Sequence, residues 1–302
     1  MSISKPALTR KEMISLLKNR NLKFNSESNA IEILKRLNYQ KLMVYRFKFL
    51  EDSINFIPNT TFENIYDLYK FDRDLKFLIL ELVESIELAL RTQIAYELGH
   101  KYSIHCHFEN NIFLNPDFHN NLLSKLSYKF DMSNIDRPLI IVYHQNKYKD
   151  QLPIYKFIEL LTLGQLSKVF KNLKIEDRDL ITKTYYKNRY HKINSKHLTS
   201  WFLTITEVRN ICAHHEKLYN RIFEISPLKH KDWKDISNKT SKGKEIFTIY
   251  GIFLVFKYII QDKELFNESV DKLDILFQKY SAIINPMEDL RFPSNWKEAL
   301  KL

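Results

Sequence analysis

Apolar residues recur along this chain mostly at steps of three and four, the spacing that lines one face of a helix. Met13, Leu16 and Leu17 form one such stripe and Ile31, Ile33, Leu34 and Leu37 another, so residues 10–50 read as two or three short helices. The aromatic run Tyr39, Tyr45, Phe47 and Phe49 reads as packing material, and Pro58, Asn59 and Thr60 end the region. Thr60-Thr61-Phe62-Glu63 has the spacing of a capping box, with Thr60 bonding the N3 amide and Glu63 reaching back. A long helix is predicted from there to about Leu98, on Ile65, Leu68, Leu75, Leu78, Leu82, Ile86 and Ala89, with Gly99 as its stop. Residues 100–155 are less regular and carry Pro116, Pro138 and Pro153, which suits loops and one or two helices. Helical spacing returns from Pro153 to Leu173, with an interruption near Gly164. It returns again on Leu198, Trp201, Ile205, Val208, Cys212, His215 and Tyr219, and Ile246–Ile260 and Val270–Tyr280 read as packing helices.

Composition agrees with an all-α fold. Hydrophobic residues make up 44% of the 302, enough to bury a sizeable core, and only 4 are glycine. The primed turns of β-hairpins need positive φ, which glycine supplies most cheaply, so a many-stranded protein with so few glycines would be unusual. The two cysteines, Cys106 and Cys212, lie far apart with no Cys-x-x-Cys, so neither a disulfide framework nor a zinc site follows. His105-Cys106-His107 is the one tempting metal cluster, and adjacent residues point apart on a helix or a strand. No cofactor is expected. The first ten residues lack an apolar run, and Phe247–Ile260 is too short for the ~20 residues that span a bilayer, so a cytoplasmic protein without a membrane partner is expected.

The formal net charge of +11 favours anionic partners. Between residues 165 and 200 stand nine Lys and Arg against three Asp and Glu, with Tyr185, Tyr186 and Tyr190 interleaved. Lys183, Lys187, Arg189 and Lys192 are candidates to meet RNA phosphates, and Tyr186 to stack an unpaired base. The plain alternative is a solvated helical face with core tyrosines. Arg91 and Gln93, late in the long helix among apolar neighbours, read first as structural.

The most informative run is Arg209-Asn210-Ile211-Cys212-Ala213-His214-His215. It lies where the apolar stripe meets a polar one made of Glu207, Asn210, His214 and Lys217. Five residues turn a helix by about 500°, so Arg209 and His214 differ by about 140° in direction and by about 7.5 Å in height. They share no stripe. A long arginine reaching round, a kinked helix end or a second copy of the motif would be needed to set both on one phosphate. Two copies across a twofold axis would supply two imidazoles and two guanidinium groups. Acid–base cleavage of RNA needs that set: one imidazole takes the 2′-hydroxyl proton, the other protonates the leaving 5′-oxygen, and arginine stabilises the charge on phosphorus. Taken alone, an Arg-x4-His match is weak, because a histidine there can equally cap a helix or bond a core carbonyl.

The run Arg209 to His215, with Leu218, Tyr219, Asn220 and Arg221 after it, closely resembles the Abi family of bacterial abortive-infection proteins, the AbiD/AbiF-like group. Further blocks match in order: Lys5 to Thr9; Leu37-Asn38-Tyr39 with Tyr45; Tyr69 to Arg73; Ile86 to Gln93; Leu152-Pro153-Ile154; and Leu163 to Ser167. Tyr155 stands where the family often has Trp. The likeness covers about residues 5–225 and is similar to a branch of the HEPN superfamily, whose Arg-x4–6-His motif marks ribonucleases. It implies a HEPN-type helical bundle at 59–225, with an N-terminal helical elaboration at 1–58 and a C-terminal helical extension at 226–302. It implies Arg209 and His214 as catalytic, with Asn210 supporting, in a metal-independent endoribonuclease whose composite site forms in a homodimer. RNA is the expected partner, and an RNA or protein antitoxin a further candidate. The motif helix places His215 on the apolar stripe, as a structural residue. The rival reading is a non-catalytic HEPN-like RNA-binding protein or scaffold regulated by a partner RNA, which the intact Arg209, Asn210 and His214 set argues against.

Overall fold

The computed structural model describes all residues except 1–6, 130–135, 137, 149–150, 187–192, 222, 224–226, 232, 234–237 and 240–244. The described residues form helices α1 (Arg10–Lys18), α2 (Glu27–Arg36), α3 (Tyr39–Met43), α4 (Phe62–Lys101), α5 (Pro116–Leu126), α6 (Leu139–Tyr148) and α7 (Ile154–Phe157). There follow α8 (Leu163–Asn172), α9 (Ile175–Tyr185), α10 (Ser195–Ala213), α11 (Ile249–Ile259), α12 (Lys263–Lys279), α13 (Pro286–Leu290) and α14 (Trp296–Leu300). The fold is all-α. Extended pairing among the described residues is confined to a two-residue antiparallel ladder, Asn238–Lys239 with Glu245–Ile246, and to the isolated bridges Lys23–Thr61, Leu50–Phe56 and Phe113–Leu173.

Helix α4 is the organising element. Its 40 residues make a rod of about 60 Å. Phe62, Ile65, Leu68, Phe71, Leu75, Leu78, Ile79, Leu82, Val83, Ile86, Leu90, Ile94 and Leu98 are all buried along it. Helices α3, α7, α8, α9, α10 and α12 all pack on it. The three stretches set out from the sequence share one continuous core, in which Phe71 of α4 stacks on Phe277 of α12. Helix α10 contributes Leu198, Trp201, Phe202, Ile205 and Val208, and the Trp201 indole donates to Leu228 O at 2.8 Å while stacking on Trp233. Among the described residues no helix is long and apolar enough to cross a membrane.

The start of α4 differs by one residue from the expected cap. Thr61, not Thr60, is the N-cap, and Asn64 closes the box with it. Glu63 instead accepts from the amides of Asn25 and Ser26, tying the approach to α2 onto the first turn of α4. Gly99 is passed over and the helix runs on to Lys101. The interruption expected near Gly164 falls just before it, where Thr162 caps α8 with Gln165. Arg91 explains how that break is tolerated. Its guanidinium donates to Ile158 O and to Leu161 O, and pairs with Glu87, so the carbonyls freed between α7 and α8 are satisfied from α4.

Two further ionisable groups are buried on α4. Asp72 and Lys76, one turn apart, form an ion pair at 3.0 Å with side chains 0% and 7% exposed. Asp72 also accepts from the Tyr45 hydroxyl at 2.6 Å, from Leu218 N at 3.0 Å and from Tyr219 N. Lys76 donates to Glu216 O at 3.0 Å. Burial and then the Asp72 charge raise the Tyr45 hydroxyl far above its ordinary pKa, so it remains a donor. Desolvating two charges costs several kcal/mol per ion, which only this full set of partners offsets.

Removing one partner should therefore be costly. Asp72→Ala is expected to lose about 3–5 kcal/mol, because Lys76 is left buried and unpaired. Urea unfolding at pH 7 checks this, and a loss below about 1 kcal/mol, the range of exposed pairs, would mean that the network is not needed.

A second expectation concerns pH. His107 is buried against the Phe157 ring at 4.4 Å, and burial, then the charges of His119 and His105, push its pKa from 6.5 down to about 3. The folded state therefore resists protonation that the unfolded chain accepts. Its contribution to stability is whole above pH 6.5 and is lost progressively as pH falls from there toward 3. Between pH 7 and pH 5 this one group should remove on the order of 2 kcal/mol. His107→Phe should flatten that slope in urea titrations at the two pH values, and an unchanged slope would assign the acid sensitivity elsewhere.

Candidate active site at the end of the motif helix

The motif run sits at the C-terminus of α10. The helix ends at Ala213, with His214 as C-cap and His215 beyond it at φ 56°. Glu216 N bonds Ile211 O at 3.0 Å and His215 N bonds Cys212 O at 3.2 Å. This is the Schellman pattern, which usually takes glycine at the left-handed position. The apolar stripe read from the sequence thus does not continue as helix through His215 and Tyr219. Leu218 and Tyr219 are buried because the turn folds back onto Asp72, whereas His215 is exposed. The expectation that His215 packs in the core is corrected on this ground.

His214 is exposed, and so is Asn210 one turn beneath it. Arg209 is half-buried, and its Nη1 donates to Asn210 Oδ1 at 3.1 Å. The Arg209 head group thus leans onto Asn210, which shares the His214 stripe. Asn210 Nδ2 and the His214 ring remain on the surface for a ligand. Behind them the helix is fixed by its buried side, where burial pushes the Cys212 thiol up to about 12. Cys212 is therefore a protonated packing group and no competing nucleophile. Lys217, after the turn, donates to Val44 O at 3.2 Å and lies over the rings of Tyr45 and Tyr219, and burial lowers its pKa.

The proposed RNA-facing residues divide. Lys183 is exposed near the end of α9, and Lys168, Lys171, Lys174 and Lys196 are exposed as well. Lys187, Arg189 and Lys192 lie outside the described residues. Tyr186 is not available as a stacking platform: it is 3% exposed, and its hydroxyl donates to Gln93 Oε1 at 2.5 Å, which also explains Gln93 on the buried side of α4. Among the described residues no three His, Cys, Asp or Glu converge as a metal site. In the tempting cluster, His107 packs on aromatic rings while His105 Nε2 bonds Gln151 O at 3.0 Å.

Asp72 and Lys76 are the residues that reading the motif alone misses. A signal for them is present, because Asp72 interrupts the apolar spacing of Leu68 and Leu75 with Lys76 four residues on. An acidic residue in a buried stripe, with a cation at i+4, asks for buried partners.

No curated protein and no solved structure matches the chain significantly. A family model does: that of the Abi-like proteins matches residues 32–220, from α2 through the Schellman turn, and so includes both the Asp72–Lys76 pair and the Arg209–His214 motif. With well over half of its length matched, the chain belongs to the Abi-like protein family.

Proposed function

We propose that this protein is a phage-defence endoribonuclease of the HEPN type, a toxin acting in abortive infection. Membership in the Abi-like family supports the defence role. The observation that carries the chemistry is the exposure of His214 at the helix end, with Asn210 beneath it and the Arg209 guanidinium held on Asn210. In this reading one His214 takes the proton from a 2′-hydroxyl. The 2′-oxygen attacks phosphorus, the bond from phosphorus to the 5′-oxygen breaks, and a second imidazole hands its proton to that leaving oxygen. The products are a 2′,3′-cyclic phosphate and a 5′-hydroxyl. Arg209 stabilises the charge that gathers on the phosphoryl oxygens, oriented by Asn210. No step calls for a metal. A single chain offers one His214, so the second imidazole comes from a second copy, and the catalytic unit is a homodimer with the motif helices facing each other. Lys183 and its basic neighbours would guide RNA through phosphates. An RNA or protein antitoxin would act by covering this surface.

His214→Ala and Arg209→Ala should each lower the cleavage rate by about 10²–10⁴-fold with RNA binding near normal, since positioned acid–base and charge-stabilising groups contribute that much. The wild-type rate should persist in EDTA. If binding falls as far as turnover, or if wild-type protein never cleaves, the non-catalytic RNA-binding reading takes its place.

Light scattering at micromolar concentration should give twice the mass of one chain. Mixing inactive His214→Ala chains with active ones should then reduce activity more steeply than simple dilution. A strict monomer that still cleaves RNA would overturn the composite site.

A further inference from the structure

A cleft of about 210 Å³ opens between helices α3 and α4 and the turn that ends α10, where Ala213 and His215, the chain neighbours of His214, line it. Lys41 of α3, Tyr69, Arg73 and Phe77 of α4, and Ala213 and His215 at the end of α10 line it. We propose that this cleft holds the nucleotide of a single-stranded RNA that adjoins the scissile phosphate, its base against Phe77 and Tyr69 and its phosphate on Lys41 and His215. This rests on the reading of His214 as the acid–base residue.

Three observations carry it. Phe77 is 64% exposed, the more exposed of the two aromatic rings, with Tyr96 at 54%, that α4 turns to the surface, and it is the one that lines this cleft. An exposed ring beside cations is the usual platform for an unpaired base, since every base has a face to stack. Next, no carboxylate lines the cleft. Asp72 and Asp74 hold Lys76 and Arg73 at its wall, and Lys41 has no carboxylate partner among the described residues. The surplus charge therefore suits one phosphate. Last, His215 occupies a left-handed position that glycine would fill with less strain. Keeping an imidazole there costs stability, and its exposed ring lines this cleft and packs in no core. The volume is below the ~300–1,000 Å³ of sites for drug-sized ligands, which fits a single base.

The test uses full-length His214→Ala protein, which binds without cleaving, and a labelled eight-nucleotide single-stranded RNA followed by anisotropy. Adding Phe77→Ala should weaken binding roughly 5- to 150-fold, the range for loss of one base–aromatic stack. Adding Lys41→Gln should flatten the slope of log affinity against log salt by roughly 0.7. His215→Gly should weaken binding while the melting temperature stays level or rises, a combination that a purely structural histidine would not give. Unchanged affinity in all three variants would overturn the proposal. So would a Phe77→Ala protein whose mass in light scattering falls to that of one chain, because the ring would then belong to a contact with a second copy. Wild-type protein that binds RNA through this cleft yet never cleaves it would keep the cleft and refute the ribonuclease reading instead.

Discussion

The Asp72 carboxylate is the point on which the rest of this structure turns. Fully buried, it would be intolerable alone, and its four donors come from three separate parts of the chain. Tyr45 brings the N-terminal helices, Lys76 belongs to α4 itself, and Leu218 and Tyr219 bring the segment that follows the motif. Lys76 then reaches Glu216 O, so the same ion pair grips the turn twice. Hydrophobic burial would press α10 against α4 without choosing a register. The directional bonds to Asp72 choose one, and they choose it at the turn where His214 stands.

That register decides what α10 can present. Its inner side is locked by Trp201, Ile205, Val208 and Cys212, so the opposite side at the last turn must face outward. Asn210 and His214 lie there one above the other. Arg209 begins between the two sides, and its length lets the guanidinium reach Asn210. A lysine could carry the charge but not the planar fork that engages an amide and a phosphate together. The left-handed turn at His215 removes the chain from above His214 at once. A helix continued by another turn would have covered the imidazole with its own side chains.

Much of this was legible in the sequence, for reasons that can be named. The long helix showed because its apolar spacing persists from Ile65 to Ala89 in spite of Asp72, and the short N-terminal helices showed through the same spacing. Errors arose where two physical causes produce one pattern. Thr60 and Thr61 can both cap, and only the tertiary bonds of Glu63 to Asn25 and Ser26 decide between them. Of the stripe Met13, Leu16 and Leu17 in α1 only Leu17 is buried, and Ile14 joins it, because α2 sets the docking angle. The spacing through His215 and Tyr219 mimicked helix although a Schellman turn without glycine intervenes. Tyr186, set among lysines, looked like a base-stacking residue, yet its hydroxyl had a buried partner in Gln93 that sequence distance conceals. Long-range polar pairings of this kind leave no local trace.

The geometry of the motif also bears on how such a site would be kept quiet. A histidine and an arginine on the open surface of one chain act in water, where charge–charge effects at 4 Å amount to about 1 kcal/mol. Facing a second motif across a twofold axis, the same groups would lie in a narrow, partly dehydrated space, where fixed dipoles and charges act far more strongly on a developing phosphorane. Under the proposed function, pairing therefore does more than supply the second imidazole: it makes Arg209 and Asn210 effective. The elements that position them, Asp72, Lys76 and the turn at His215, are all internal to one chain and already formed. Activity would then depend on bringing two finished halves together, which a partner covering the end of α10 could prevent without disturbing the fold.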